Sequence, residues 1–278
     1  MSRLFFCGCL FMQEFLISGL RSGLRGRSFH AVFLLGVALI FVAYLSGSFS
    51  PRQPGTVALD IGLSGMRFTL VLMALFWVQE LVTRELERKT VLFSLAYPVS
   101  RGAFLLGRYA AVAVLGLLAT LVFGLALMLA VFLAGGHYDQ EFAVSLGGAY
   151  WSAVLGVWLD VITVAAFGIC IAALSTVSIM PLAMGAAFAI AGKALGPTLD
   201  YIAQGADGDS LVLGRVSPVL DFARAIVPDL SRLDWRDWPL YGVVPEPSTL
   251  GWSVAMALAY AALCLALAVW LFSRRDFA

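Results

Sequence analysis

"AFLLGRYAAVAVLGLLATLVFGLALMLAVFLA", residues 103–134, carries one charged side chain, Arg108, in 32 positions. A helix needs about 20 mostly apolar residues to cross the hydrocarbon core of a bilayer. This run is long enough to span a membrane and also to tilt or to project from it. Across the whole chain, 61% of the residues are hydrophobic and only 13% are charged. Since soluble domains are about one quarter charged, the composition predicts an integral membrane protein.

Five further stretches of spanning length accompany this run, so the predicted fold is all-α and polytopic with six transmembrane helices. The predicted spans are residues 29–48, 65–82, 103–134, 148–174, 179–199 and 250–272. The sequence contains no repeat, and residues 1–278 are predicted to form a single transmembrane domain. With a cytoplasmic N-terminus, the inner segments hold ten of the eighteen Lys and Arg residues and the outer segments hold five. This bias predicts that both termini are cytoplasmic.

Two non-spanning segments are predicted to lie at the membrane surface. Residues 1–28 are expected to form an amphipathic helix at the inner interface, with arginines facing headgroups and with glycines weakening its second half. Residues 200–249 form an extracytoplasmic link, expected to contain short helices that rest on or dip into the outer leaflet. Indole rings prefer the membrane–water boundary, so Trp235 and Trp238 are expected there.

The third non-spanning segment, 83–101, contains "RELERKTVLFSLAYPVSR". Glu85 and Lys89 form a favourable i,i+4 pair on a short helix, and Pro98 stops that helix. A positive-inside loop explains the basic residues, but it explains neither the acidic residues nor the apolar "VLFSL". Apolar residues outside a span need a lipid or protein partner. The segment is therefore interpreted as a docking helix on the inner face.

Motifs for catalysis are missing from the sequence. "AGKA" at 191–194 resembles part of a phosphate-binding loop, but Ala187 replaces the required glycine and Ala194 the required Ser or Thr. His30 and His137 are predicted at opposite membrane faces. A net charge of +1 argues against a nucleic-acid partner. We expect that the chain is not an enzyme and binds no cofactor or metal, which leaves transport or anchoring.

The four cysteines do not form a disulfide framework. Cys170 and Cys264 fall in predicted spans. Cys7 and Cys9 near the N-terminus are candidates for lipidation or metal binding, but the favoured interpretation is two small apolar positions of an interfacial segment.

Two ionisable residues lie inside predicted spans, where charge is costly and marks function by default. Asp160 and Lys193 are on antiparallel helices at depths that differ by about 6 Å, so they are able to pair directly or through water. A polar lining of a translocation path and a structural lock between two helices both remain open. Arg67 and Glu80, nearer the ends of the second predicted span, are interpreted as snorkelling to headgroups.

The charged segment and its surroundings resemble the permease subunit of type II ABC exporters. The resemblance rests on the acidic–basic run followed by "TVLFSLAYPVSR", on "LGR" at 106–108, and more weakly on "PDLSRLDWRDWPLYG" and the terminal "FSRRDF". It implies two permease copies, expected as a homodimer, each touching a separate ATP-binding cassette subunit that holds ATP and Mg. It also implies a bacterial cytoplasmic membrane. The lipid bilayer surrounds the chain, and an extracytoplasmic partner is a further candidate.

In that family a coupling helix seats in a groove of the ATPase. The resemblance implies that this interface contains Arg84, Glu85, Glu87, Arg88, Thr90, Leu95, Pro98, Ser100 and Arg101. The N-terminal helix would form a second contact, and the outer link would cap the pore. One departure is the inner loop at 175–178, which is only "STVS". Two alternatives remain: an ABC-like permease that anchors or drives an envelope assembly machine, and a nucleotide-independent secondary transporter.

Overall fold

The computed structural model describes residues 2–87, 101–135, 144–203 and 228–274, and these ranges are helical with no strand. The helices are α1 (Ser2–Arg25), α2 (Arg27–Ser48), α3 (Pro54–Val78), α4 (Arg84–Glu87), α5 (Arg101–Gly135), α6 (Gly148–Leu174), α7 (Met180–Ala203), α8 (Asp237–Tyr241) and α9 (Pro247–Arg274). A π-helical turn, Gln79–Thr83, joins α3 to α4, and a 3-10 turn, Leu230–Leu233, precedes α8.

Five of the described helices are long and apolar enough to cross a membrane: Arg27–Ser48, Pro54–Glu87, Gly102–Gly135, Gly148–Leu174 and Pro247–Arg274. The chain therefore has the build of an integral membrane protein. Helix α7 covers the predicted fifth span, but it carries Lys193 and Pro197 and is not among these five. The six-span count remains a prediction.

The second membrane helix is much longer than predicted. The sequence placed it at 65–82, whereas α3, the π turn and α4 run without a break from Pro54 to Glu87. Proline is well tolerated at the first turn of a helix, and Pro54 occupies that position. Because the helix begins at Pro54, Arg67 lies more than three turns inside it, and its side chain is buried, with only 8% of the residue exposed. Its predicted snorkelling to headgroups is wrong.

Helix α6 forms the centre of the bundle. In the most apolar stretch of α6, 78% of the residues are buried. The corresponding fractions are 22% for α2 and 28% for α9, so these two helices lie at the periphery. Trp77 on α3 and Tyr150 on α6 are among the largest fully buried side chains. The Tyr150 hydroxyl donates to the Gly124 carbonyl of α5 at 2.5 Å. Helices α3, α5 and α6 thus share one core.

The N-terminal helix packs closely against α5, and its glycines make this possible. A Cβ added at Gly19 would lie 2.7 Å from the Cβ of Ala111, and one added at Gly23 would lie 2.5 Å from Leu115. Trp77 on α3 donates its indole N–H to the Gly23 carbonyl at 3.2 Å. The helix continues to Arg25. The expectation that these glycines weaken its second half is wrong, because tertiary packing outweighs helix propensity here.

The described part of the outer link sinks into the bundle. It contains the two short helices expected from the sequence, Leu230–Leu233 and α8. A Cβ at Gly156 would lie 2.3 Å from the Leu233 carbonyl oxygen, so the link backbone rests directly on α6. Trp235 is only 8% exposed and lies beside Gly156. It is a core residue packed against α6, and its expected depth near the membrane boundary stays a prediction.

Aromatic and polar contacts bring the ends of several helices together at one end of the bundle. Phe104, early in α5, stacks on Phe272, late in α9, with ring centroids 6.2 Å apart. Gln79 donates to the Ser178 hydroxyl at 2.8 Å, just before α7 begins. We call this the terminal end, because α1 passes to α2 here and α9 finishes here. Pro54, Gly148 and the outer link mark the opposite end.

Replacing Gly156 by Ala will destabilise the protein, because the new methyl group meets backbone and not a movable side chain. The matched control is Gly251→Ala in α9, where nothing lies within 4 Å of the added Cβ. An exposed Gly→Ala change within a helix is worth about +1 kcal/mol of stability. In detergent, Gly156→Ala should lower the melting temperature and speed proteolysis within 228–246, while Gly251→Ala leaves both unchanged or improved. Equal behaviour of the two variants would contradict this packing.

Candidate functional site: a buried ion cluster

Asp160 and Lys193 meet inside the helix bundle. The Lys193 Nζ lies 3.5 Å from the Asp160 Oδ2, so the predicted pairing is present and direct. Asp160 on α6 is only 1% exposed, and the Lys193 side chain on α7 is 26% exposed. The two helices run in opposite directions, which brings residues from the middle of each to a common level.

Arg67 on α3 is a third member that the sequence did not assign to this group. Its Nε lies 3.4 Å from the Asp160 Oδ2. Its guanidinium also donates to the carboxylate of Asp234 on the outer link, and a long 3.5 Å contact reaches the Leu233 carbonyl. Arg67 therefore joins three parts of the fold that are distant in sequence. A buried arginine requires such partners, because an unpaired charge in a low-dielectric interior is costly.

Asp234 connects this group to Arg236 and, through it, to the first turns of α3. Arg236 forms a bidentate pair with it, at 2.9 Å from Nε to Oδ1 and 2.8 Å from its terminal nitrogen to Oδ2. The Lys193 Nζ lies 3.8 Å from the same carboxylate. Arg236 also donates to Asp60 at 2.8 Å and to Ser64 at 2.9 Å, both on α3.

The ion cluster is defined by six residues: Asp60, Arg67, Asp160, Lys193, Asp234 and Arg236. It contains three cations and three carboxylates, so its formal charge is zero. Each carboxylate touches at least one cation, and Asp234 touches three. The cluster links α3, α6, α7 and the outer link through ion pairs, in addition to their apolar packing.

Electrostatics within the cluster keep Asp234 ionised. Burial acts to raise the pKa of this carboxyl, but hydrogen bonds from Arg236 and Arg67, with the charge of Lys193, outweigh burial and hold the pKa well below its usual range. For Arg236, burial acts to lower the pKa, and the carboxylates of Asp234 and Asp60 reverse this and raise the pKa. The outer link is thus held by fully charged groups.

A cavity of about 520 Å³ adjoins the cluster between α3 and α7. Its walls are apolar, with Val71, Leu72, Ala186 and Ala189 among the lining residues. Phe68 and Ile190, also in the lining, are 60% and 71% exposed. The cavity therefore opens sideways from the bundle, with charged groups at one end and apolar walls along the rest.

A second buried arginine organises the terminal end. Arg108 on α5, 5% exposed, donates to Glu85 on α4 at 2.5 Å. It also donates to the Ser18 hydroxyl at 3.2 Å and the Phe15 carbonyl at 3.3 Å, both on α1. Its guanidinium lies 5.6 Å from the centroid of the Phe104 ring. We call Arg108, Glu85, Ser18 and Phe15 the terminal clamp.

The predicted coupling residues are only partly described. Glu85 belongs to the terminal clamp and faces inward, so its predicted contact with a partner is less direct than its sequence position implied. Glu87 is exposed, and Arg84 pairs with Glu80 at 3.9 Å. Arg101 begins α5. The remaining members lie outside the described residues: Arg88, Thr90, Leu95, Pro98 and Ser100.

Four functional side chains were missed or misread from the sequence. Arg67 was placed near a helix end, and Arg108 was noted only as part of a motif. Asp234 and Arg236 were not singled out within the outer link. A single charge inside an apolar run is the signal that points to Arg67 and Arg108. No sequence pattern indicated that the link descends far enough to reach Arg67.

No group of three His, Cys, Asp or Glu side chains suited to a metal ion occurs in the described ranges. Cys170 and Cys264 are buried thiols. The side chains of Cys7 and Cys9, and the whole of His137, are outside the description, so the predictions about them stay predictions.

Comparison of the chain with models of known protein families and with curated proteins finds no match.

Replacing Asp160 by Asn will destabilise the fold, because Arg67 and Lys193 then lose a shared carboxylate. Breaking a buried pair by removing one partner costs about 3–5 kcal/mol. The double variant Asp160→Asn/Lys193→Met removes one charge of each sign and should recover part of the loss. The control is Asp237→Asn at an exposed position. Unfolding in detergent checks this, and strictly additive losses in the double variant would contradict the pairing.

The stabilisation from Asp234 has a defined pH dependence. Because its pKa is lowered in the folded protein, its contribution is complete above the unfolded pKa and is lost as the pH falls through the folded pKa. The stability difference between wild type and Asp234→Asn should stay constant between about pH 8 and pH 5 and shrink below about pH 4. Melting temperatures across this range measure it. A difference that shrinks near neutral pH would contradict the assignment.

Proposed function

We propose that this chain is the membrane-spanning permease subunit of an ABC exporter, working as a homodimer in a bacterial cytoplasmic membrane with a separate ATP-binding subunit. The terminal clamp is the observation that carries the proposal. Arg108 holds α1 against α4, and α4 leads directly into the predicted coupling segment. The N-terminal helix and the helix that precedes the coupling segment are therefore held together at the terminal end. Two contacts with one ATPase would need these two elements to lie close together in this way.

The path for force runs through a single helix. Glu87 and Arg67 are 20 residues apart on the unbroken helix Pro54–Glu87, roughly 30 Å at 1.5 Å per residue. Movement of a docked ATPase at Glu87 would therefore displace Arg67 and the ion cluster. The π turn Gln79–Thr83 lies between them. Such turns occur frequently at functional sites and give a helix a place to adjust.

The ion cluster would respond to this movement as a unit. Arg67 forms an ion pair with Asp160 on α6 and donates a hydrogen bond to Asp234 on the outer link. A shift of α3 along its axis must stretch or exchange these pairs. In the proposed cycle, the ATP-driven shift loosens the outer link and opens the cavity toward the outer side. Asp160 and Lys193 then serve both as a lock in the resting state and as lining of the open path.

A photo-crosslinking amino acid at Glu87 tests the partner directly. In native membranes it should crosslink an ATP-binding cassette subunit, identified by mass spectrometry, because Glu87 is exposed at the terminal end. The same crosslinker at Val244, 66% exposed at the opposite end, should not reach that subunit. An ATPase captured only from position 244, or from neither position in membranes that contain the intact complex, would refute the assignment.

Reversing charge at the docking segment should separate ATP hydrolysis from permease movement. In the purified complex in nanodiscs, Glu87→Arg should abolish the permease-dependent change in ATPase rate, because like charges then face the partner. The matched control is Glu246→Arg, an exposed acid at the opposite end. Unaltered coupling in Glu87→Arg, with correct folding shown by its melting temperature, would count against the role of this segment.

A nucleotide-independent secondary transporter is the second candidate, and the ion cluster is the observation that favours it. Buried, mutually exchanging carboxylates and cations occur in ion- and proton-coupled carriers. Flux driven by an ion gradient in proteoliposomes without ATP would support this candidate. Strict dependence on ATP and on a second subunit would support the exporter. An ATP-dependent complex that moves no solute would point to a role in envelope assembly.

A further inference from the structure

The cavity beside the ion cluster has the two-part character of a binding site for an amphiphile. Its volume of about 520 Å³ falls in the range of small-molecule sites, roughly 300–1,000 Å³. One end presents Lys193, Arg236 and Ser64, and the walls toward the other end are apolar. Water alone fits the charged end but is poorly matched to such walls.

The charges at this end of the cavity are unevenly paired. Arg236 is paired with both Asp60 and Asp234 at 2.8 Å, and Arg67 donates to Asp234. Lys193 lies 3.5 and 3.8 Å from its nearest carboxylates, so it has the most distant ion-pair partners of the three cations. The cluster is neutral as a whole, and an anion at this cavity would bind through Lys193 and not through an excess of positive charge.

Lys193 also has donors to offer. An ammonium group has three N–H donors. Its nearest acceptors, on Asp160 and Asp234, lie at 3.5 and 3.8 Å, and within the described part of the chain Nζ has no hydrogen-bond partner. Asp160, at 1% exposed, has an Oδ1 without a partner among these residues, but a carboxylate oxygen only accepts, so this atom requires water or another donor and not an anion. The buried end of the cavity is thus incompletely satisfied by the protein itself.

The depth of the charged end matches a phospholipid headgroup. The helix Pro54–Glu87 has 34 residues, roughly 51 Å, against a hydrocarbon core of about 30 Å. For an upright helix centred in the bilayer, about 10 Å projects beyond the core at each end. Asp60 and Ser64 lie roughly 9 and 15 Å from its start. In that placement the Arg236 side chain, which donates to both, lies near the boundary between headgroups and acyl chains.

The opening of the cavity suits a chain that enters from the bilayer. Phe68 and Ile190 border it and are largely exposed. The small side chains of Ala186 and Ala189 leave room for a ligand on the α7 side of the groove. A hydrocarbon chain lying between α3 and α7 would cover these apolar residues. A headgroup attached to this chain would face the cations, whose direct exposure to hydrocarbon is unfavourable.

We propose that this groove is a specific phospholipid site, with the phosphodiester on Lys193 and Arg236 and one acyl chain lying between α3 and α7. A phosphodiester carries one negative charge and supplies the acceptors that Lys193 lacks. The inference goes beyond the proposed function, because such a lipid is either cargo or a resident part of the structure. Its test needs only the purified chain.

The test uses a phospholipid with a photoactivatable group in its acyl chain, added to nanodiscs that contain this chain without any ATPase. Peptides bearing Phe68 or Ile190 should be labelled preferentially. Ala186→Trp, which fills the groove roughly 10 Å along the helix from Lys193, should abolish this labelling, whereas Ala187→Trp on the exposed face of the same helix should not. Arg236→Gln should reduce labelling about tenfold, as expected for loss of a charge-assisted contact. Arg232→Gln, 63% exposed on the same link, should not.

Three outcomes would overturn the proposal. Equal labelling of the exposed face of α2, for example at Phe41, would mean ordinary boundary lipid. Equal labelling by diacylglycerol with the same acyl chain would mean that the headgroup is not bound. A disulfide between copies through Ile190→Cys, with no lipid labelling, would mean that a second copy covers the groove. None of these results depends on the ATPase, so the proposed function stands or falls separately.

Discussion

The rest of the structure depends on how Arg67 is neutralised inside the bundle. A charged side chain at the centre of a membrane costs about 2.5–3.5 kcal/mol even on the most lenient scales. Arg67 avoids this cost by contacting Asp160 and Asp234 at once. The second contact requires the outer link to descend to the level of α3. Gly156 permits this descent, because any larger residue would meet the link backbone. Charge pairing and glycine packing therefore fix the same arrangement.

A single helix relates the two charged centres of the molecule. The terminal clamp holds one end of Pro54–Glu87 through Glu85, and the ion cluster holds its middle through Arg67. Both centres use one buried arginine to join elements that are far apart in sequence. An input at the clamp would reach the cluster through displacement of this helix, with the π turn Gln79–Thr83 between the two centres. The proposed permease would be driven from the terminal end through this helix. The two centres also explain why both arginines lie within otherwise apolar runs.

Apolar run length was sufficient to predict the helices, whereas the charged sites needed tertiary information. Segments 29–48, 148–174 and 250–272 agree with α2, α6 and α9 within three residues, because hydrophobicity alone determines them. The second span was predicted too short, because hydropathy marks the apolar stretch 65–82 but not the more polar ends of the helix Pro54–Glu87, which carry Asp60 and Glu87. Counting the rise per residue along two antiparallel helices placed Asp160 and Lys193 at similar depths, and the structure shows that they pair. The depth of Asp234 was not predictable, because it depends on glycine positions that carry meaning only once α6 and the link are packed together.

The contact between Arg67 and Asp234 is the direct test of this account. A double-mutant cycle with Arg67→Gln and Asp234→Asn would measure their coupling by unfolding in detergent, with proteolysis of residues 228–246 as a second readout. The account predicts a favourable coupling of about 1–3 kcal/mol and release of the link in each single variant. Additive effects, with the link equally protected in every variant, would show that the ion cluster does not hold the outer link and would contradict the central claim.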